Sequence, residues 1–67
     1  MKVKLMYKHI LLVQAGKYAI ARCILKLLTT GSIKLYFDDV SNEVEGILDK
    51  LNVKYSINRR GISTYRL

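Results

Sequence analysis

The period at which apolar residues recur changes along this chain, and each period predicts a different secondary structure. In residues 17–29 the apolar side chains recur at the spacing of one helix face, formed by Ile20, Cys23, Ile24, Leu27 and Leu28. A second stripe of this kind follows, formed by Val44, Ile47, Leu48 and Leu51. The pattern therefore predicts two amphipathic helices, and Gly31 and Asn52 are suited to the left-handed positions that end them.

Two other segments alternate with a period of two, which is typical of strands. Residues 33–37 place Ile33, Leu35 and Phe37 on one face, and residues 53–57 alternate in the same way. Residues 58–61, Asn-Arg-Arg-Gly, predict a hairpin turn in which Gly61 supplies a positive φ, and residues 62–67 form the return strand.

The first segment of the chain carries a mixed signal. Residues 3–8 alternate, whereas residues 10–13 are continuously apolar, a pattern that favours a central strand but also fits a helix. With a strand here, the element order is β-α-β-α-β-β, and right-handed crossovers place both helices on the same side. We therefore expect one α+β domain over residues 1–67, a two-layer sandwich of a four-stranded mixed sheet with two helices on one face.

The residues that usually carry chemistry are sparse. Cys23 is the only cysteine and lies on the buried stripe of the first predicted helix, and His9 is the only histidine. Asp38 and Asp39 end a strand just before a helix, where turn and cap roles are common, and Ser41 is a candidate N-cap with Glu43 in the first turn. We expect no metal site, no cofactor and no enzymatic activity.

A single cysteine allows no internal disulfide, although small secreted domains usually carry several. We therefore expect a cytoplasmic protein, including that of a virus replicating in a cytosol. No apolar run approaches the ~20 residues of a membrane-spanning helix, so no membrane partner is expected.

Charge is distributed unevenly along the chain, which has a formal net charge of +7. Residues 1–37 hold seven basic residues and no acid, and all five acids lie within residues 38–49. Such an excess favours a polyanionic partner, namely DNA, RNA, acidic lipid or an acidic protein. The alternative is that the charge only keeps a small domain in solution.

The predicted sheet leaves one face without helices, and by parity this face displays lysines around an apolar patch. We expect phosphate contacts or base stacking from Lys4, Lys8, Lys17, Lys34, Tyr36, Lys54, Arg59 and Arg60. An apolar patch of this kind is rarely left in water, so we also expect a homodimer whose interface contains Met6, Ile10, Leu12 and Tyr36.

Three families share parts of this pattern. The helix ending Thr-Gly-Ser at residues 30–32, the strand Ile-Lys-Leu-Tyr-Phe at 33–37 and the hairpin ending Tyr-Arg-Leu at 65–67 resemble the TusA/SirA sulfur carriers, although the Cys-Pro-x-Pro motif of that family is missing. The strand order and the basic Gly16-Lys17 resemble the Alba chromatin proteins. The segment 24–33 with the basic hairpin resembles a winged helix, but residues 32–52 are too few for two more helices.

The charge distribution and these resemblances together favour three functions. The first is a small basic nucleic-acid-binding protein without enzymatic activity. The second is a protein-interaction or carrier-like module of TusA-like fold that lacks the catalytic cysteine. The third is a winged-helix DNA-binding protein.

Overall fold

The structure, a computed structural model, describes residues 2–67, with side chains described from Val3 onward. It is an α+β fold with the order α1 (Lys2–Gln14), α2 (Tyr18–Thr30), β1 (Ser32–Leu35), α3 (Asp38–Lys50), β2 (Ser56–Asn58) and β3 (Ser63–Arg66). The described strands form one antiparallel sheet in the order β1-β3-β2, so the last strand lies in the centre.

The predicted β-α-β-α-β-β sandwich with a four-stranded mixed sheet is wrong, because the first segment is a helix. Leu5 and Leu12 are only 1% and 5% exposed. Seven residues is about two helical turns, so a helix points both leucines the same way, whereas a strand would place them on opposite faces. Burying both leucines against the rest of the domain therefore requires a helix, and the short alternation in residues 3–8 is overridden.

A tight connection folds α1 back onto α2. Gly16 has a φ of 77°, a left-handed value that suits glycine, and the Lys17 amide donates to the Leu12 carbonyl over 2.9 Å. The ring of His9 adds a contact between the helices, since its Nδ1 lies 2.9 Å from the Ala21 carbonyl oxygen. A carbonyl only accepts, so Nδ1 carries the proton and donates it.

The core lies between the sheet and the helices. Helices α2 and α3 contact β1, and α1 packs on α2. Tyr65, at the centre of the sheet, is fully buried and pairs across the strands with Ile33 and Ile57. Its neighbours in the core include Ile24, Leu27, Val44 and Leu48.

The left-handed conformations predicted for the helix stops Gly31 and Asn52 and for the hairpin glycine Gly61 are confirmed. Gly31, Asn52 and Gly61 have φ values of 79°, 57° and 76°. Gly31 caps α2, and its amide donates to the Leu27 carbonyl. Positions that demand a left-handed backbone are thus marked in the sequence by residues that tolerate it.

The start predicted for the second amphipathic helix, which is α3 in the structure, is wrong. Helix α3 begins at Asp38, so Ser41 lies one turn inside the helix and is buried rather than capping it. Asp38 and Asp39 occupy the first turn, where negative charge complements the helix dipole. Strand β1 ends at Leu35, so Phe37 leaves the alternating pattern and is 73% exposed instead of buried.

A polar cluster fastens α3 to the β2–β3 hairpin. The Tyr65 hydroxyl donates to Glu45 Oε2 over 2.6 Å and also contacts the Ser41 hydroxyl. Arg59 Nη2 lies 2.9 Å from Glu45 Oε1, forming an ion pair. The cluster joins a buried tyrosine, a helix carboxylate and the hairpin arginine, and so fixes the hairpin relative to the helix.

None of the helices within residues 2–67 has the length and apolar character that crossing a membrane requires.

Candidate functional site

A basic groove lies between α2 and β1. Its lining includes Arg22 and Lys26 from α2, Lys34 from β1 and, just past the strand, Tyr36. All four residues are exposed, and Tyr36 keeps 71% of its surface in solvent. We call these four residues the basic groove. It joins two predicted site residues, Lys34 and Tyr36, to two residues that were not predicted, Arg22 and Lys26.

The two elements that form the groove supply cationic donors and carry no acid. Residues 1–37 contain no Asp or Glu, so neither α2 nor β1 carries a negative side chain. The hydroxyls of Thr29 and Thr30, which also line the groove, lie 3.2 and 2.8 Å from the Lys26 carbonyl oxygen of their own helix. The donors directed to an outside ligand are therefore the guanidinium and ammonium groups.

The outer face of the sheet continues this surface. Residues directly opposite each other in a sheet share a face, and the outer face pairs Lys34 with Thr64 and both Ser32 and Ser56 with Arg66. Lys34 and Arg66 are exposed, and the burial alternates with Ile33, Leu35 and Tyr65 on the inner face. Lys54 is exposed in the segment that leads into β2. The outer face is thus polar and basic rather than the lysine-ringed apolar patch that was predicted.

Three other predicted phosphate ligands, Lys8, Lys17 and Arg59, lie close to acidic side chains of α3. All five acids belong to α3. Lys17 lines a pocket with Asp39 and Glu43, and Lys8 lines a groove that also contains Glu43. Arg59 is paired with Glu45. A phosphate near these three cations would also meet carboxylates, so their attraction for polyanions is weakened.

The remaining predicted residues are spread over the molecule. Lys4 is exposed on α1, and Arg60 is exposed at the hairpin tip, where its amide donates to Asn58 Oδ1. Met6 and Ile10 are exposed on α1, but Leu12, predicted beside them, is in the core. Tyr36 belongs to the basic groove and not to a face shared with Met6 and Ile10.

Arg22, Lys26 and Arg66 were not predicted as site residues. A signal for the first two was present, because a pair of cations four residues apart on the polar side of an acid-free helix marks a basic helix face. Arg66 had no such signal, since its position depends on β3 lying between β1 and β2.

Two groups with shifted pKa values have structural explanations. Burial raises the pKa of the Cys23 thiol, and the charges of Lys26 and Arg22 offset this only in part, so the thiol stays protonated at neutral pH. The hydrogen bond from Tyr65 is the main cause that lowers the pKa of Glu45. Tyr65 is fully buried, so its hydrogen bond to Glu45 is a structural contact that joins the sheet to α3.

Comparison with known proteins finds no matching family model, curated protein or solved structure. Among the described residues, no group of three or more His, Cys, Asp and Glu side chains is placed to hold a metal ion. The charge and geometry of this chain are therefore the observations that point to a function.

Proposed function

We propose that the protein is a small non-enzymatic nucleic-acid-binding module that contacts phosphates through the basic groove and the outer face of the sheet. The observation that carries this proposal is the segregation of charge. Every acid lies on α3, whereas Arg22, Lys26, Lys34 and Arg66 lie on elements that carry no acid. Segregated positive charge produces a field that attracts a polyanion, which the same residues interspersed with acids would not.

An exposed aromatic side chain stands beside these cations. Tyr36 lines the groove with Lys26 and Lys34, and the adjacent Phe37 is also mostly exposed. Aromatic rings next to a basic track are the usual means of holding unpaired bases, because every base can stack on them. Single-stranded DNA or RNA is therefore the form of nucleic acid that this surface fits best.

The charge of α3 argues against insertion of that helix into a DNA groove, as a winged-helix mode would require. Five acids and a single cation, Lys50, lie within α3, and only Tyr36 and Phe37 separate it from β1. A helix of this charge is repelled by phosphates on both sides of a groove. Helix α2, with Arg22 and Lys26, faces the polyanion instead.

The proposed setting is the cytoplasm, where thiols stay reduced. Cys23 is a free cysteine, and its half-buried thiol packs against the core. A reduced thiol at this position is compatible with the fold and needs no partner.

The test is a salt-titrated binding assay by fluorescence anisotropy, with single-stranded DNA, single-stranded RNA and duplex DNA in separate arms. We expect binding that weakens steeply with salt, since bound phosphates release counterions. The double variant Lys34→Glu with Arg66→Glu should bind at least about 10-fold more weakly at moderate salt and lose about two units of the log–log salt slope.

The matched control carries the same change of charge close to the acidic side chains of α3. The double variant Lys17→Glu with Lys50→Glu also replaces two exposed cations with acids. Lys17, however, lies beside Asp39 and Glu43, and Lys50 lies on the acidic helix α3. This double variant should lose much less affinity. Equal losses in both double variants would show that only net charge matters, and a lack of binding by the unaltered protein at low salt would overturn the proposal.

A further inference from the structure

Helix α1 is apolar on two opposite faces. The inner face carries Leu5 and Leu12, which are buried in the core. The other side carries six large apolar side chains that are 40–78% exposed, namely Val3, Met6, Tyr7, Ile10, Leu11 and Val13. We call these six residues the outer face of α1. A helix that is apolar all round is normally covered on both sides, so this face lacks a partner in the single chain.

The spacing along this face is that of a helix-pairing seam. Val3, Met6, Ile10 and Val13 follow one another at intervals of three, four and three residues, as the a and d positions of a heptad do. Val3 and Ile10 then occupy the a positions, where β-branched residues favour two-stranded pairing. The lysines of the helix, Lys2, Lys4 and Lys8, fall at positions g, b and f, so no charged residue occupies an a or d position of the seam.

The exposed area fits a second copy of the same helix. Leu11 falls at position b and lines a groove with α3, so it lies beside the seam. The exposed fractions of the other five side chains leave roughly 500 Å² of mostly apolar surface, near the upper end of what monomers show. Two such faces would bury about 1,000 Å² together, the area that a specific interface needs. The whole chain exposes 4896 Å², whereas scaling for a monomer of this mass gives about 4,300 Å². This excess of exposed surface over the expected value is similar to the exposed area of the outer face of α1.

We propose that the protein forms a two-fold homodimer in which the outer face of α1 packs against the same face of a second copy. A two-fold axis pairs a surface with itself, which a seam of identical heptad positions allows. An anionic membrane fits less well, because α3 with its five acids borders the groove that Lys8 and Leu11 line. The proposal does not depend on nucleic-acid binding, since the outer face of α1 shares no residue with the basic groove or with the outer face of the sheet.

The test is the mass of the full-length chain in solution, measured without nucleic acid by light scattering and sedimentation equilibrium between about 5 and 200 μM. We expect a dimer. Ile10→Glu should give a folded monomer, judged by an unchanged far-UV circular dichroism spectrum, because Ile10 is 49% exposed in the single chain. Ile62→Glu is the matched control, since Ile62 is 39% exposed but belongs to the hairpin tip, and this variant should remain dimeric.

Four results would overturn the proposal. The first is a monomeric unaltered protein over the whole concentration range, and the second is equal loss of the dimer in both variants. The third is a variant that is folded and still dimeric, either Ile10→Glu or, if Ile10→Glu unfolds, Tyr7→Glu, because Tyr7 is 67% exposed. The fourth is a monomer that co-sediments with vesicles of phosphatidylcholine and phosphatidylglycerol and loses this binding in Ile10→Glu, which would assign the face to a membrane.

Discussion

Removing the hydroxyl of Tyr65 tests how α3 is joined to the sheet. Tyr65→Phe removes the donor that lies 2.6 Å from Glu45 Oε2 while keeping the buried ring, so no cavity forms. Hydrogen bonds to charged groups contribute about 1.5–3 kcal/mol. The Glu45 carboxylate keeps Arg59 and is 20% exposed, so solvent compensates for part of the loss. We expect Tyr65→Phe to lower the free energy of unfolding by about 2 kcal/mol at pH 7.

That loss is large for a domain of this size. A stability of about 0.05–0.15 kcal/mol per residue gives roughly 3–10 kcal/mol for the chain. The melting temperature should accordingly fall by roughly 10 °C. The control is Tyr55→Phe, which removes a hydrogen bond to Asp49 at an exposed site and should cost less than about 1 kcal/mol.

The same variant changes the dependence of stability on pH. The Tyr65 hydrogen bond is the largest cause that lowers the pKa of Glu45 in the folded state. A lowered carboxyl pKa stabilises the fold above the ordinary pKa near 4.5, and this contribution is lost as the pH falls through the folded-state pKa. The difference between Tyr65→Phe and the unaltered protein should therefore be largest near neutral pH and shrink in acid.

Urea denaturation followed by circular dichroism, at pH 7 and at several values down to about pH 3, measures both effects. A Tyr65→Phe variant within about 0.5 kcal/mol of the unaltered protein at pH 7 would refute the structural role of the hydroxyl. An unchanged difference across the acidic range would refute its link to Glu45.

Two further predictions concern α3 and α2. Gly46→Ala should raise the free energy of unfolding by about 0.5–1 kcal/mol, measured by urea denaturation, because alanine favours a helix more than glycine does. A Cβ at this position meets no atom within 4 Å, so the added methyl group causes no clash. A destabilised variant would contradict the open space beside α3. Cys23 should react with a thiol reagent much more slowly in the native protein than in urea, since burial raises the pKa of its thiol. Cys23→Ala should lower the free energy of unfolding by on the order of 1 kcal/mol and leave nucleic-acid binding unchanged. Fast native labelling would contradict the placement of Cys23 against the core.

The sequence predicted local features better than it predicted the arrangement of elements. Gly31, Asn52 and Gly61 take the expected left-handed conformations because the preference is a property of the residue itself. Helix α2 was likewise visible from the period of its apolar stripe. These features depend on few neighbours and can be inferred without knowing the rest of the fold.

The first segment was assigned wrongly because its pattern serves two apolar surfaces at once. Leu5 and Leu12 face the core, while Val3, Met6 and Ile10 face outward, so apolar residues occur all around α1. Such a helix has little amphipathic signal, and a short alternation can then resemble a strand. Once α1 is a helix, the predicted fourth strand and its lysine-ringed face no longer exist.

The candidate site was half predictable for a related reason. Lys34 and Tyr36 follow from their position in and after a strand, which the alternating pattern shows. Arg66 joins Lys34 only because β3 inserts between β1 and β2, and nothing local in the sequence encodes that order. The ion pair between Arg59 and Glu45 is also a tertiary contact that no local pattern encodes. It partly neutralises an arginine that the sequence predicted as a phosphate ligand.

Nuclear magnetic resonance can test the central claim directly, by following backbone amide shifts of the full chain during titration with a short single-stranded DNA. We predict that the largest changes lie around Arg22, Lys26, Lys34, Tyr36 and Arg66, and that they reverse when salt is added. Changes centred on α3 or on the outer face of α1, or no changes at low salt, would contradict the account.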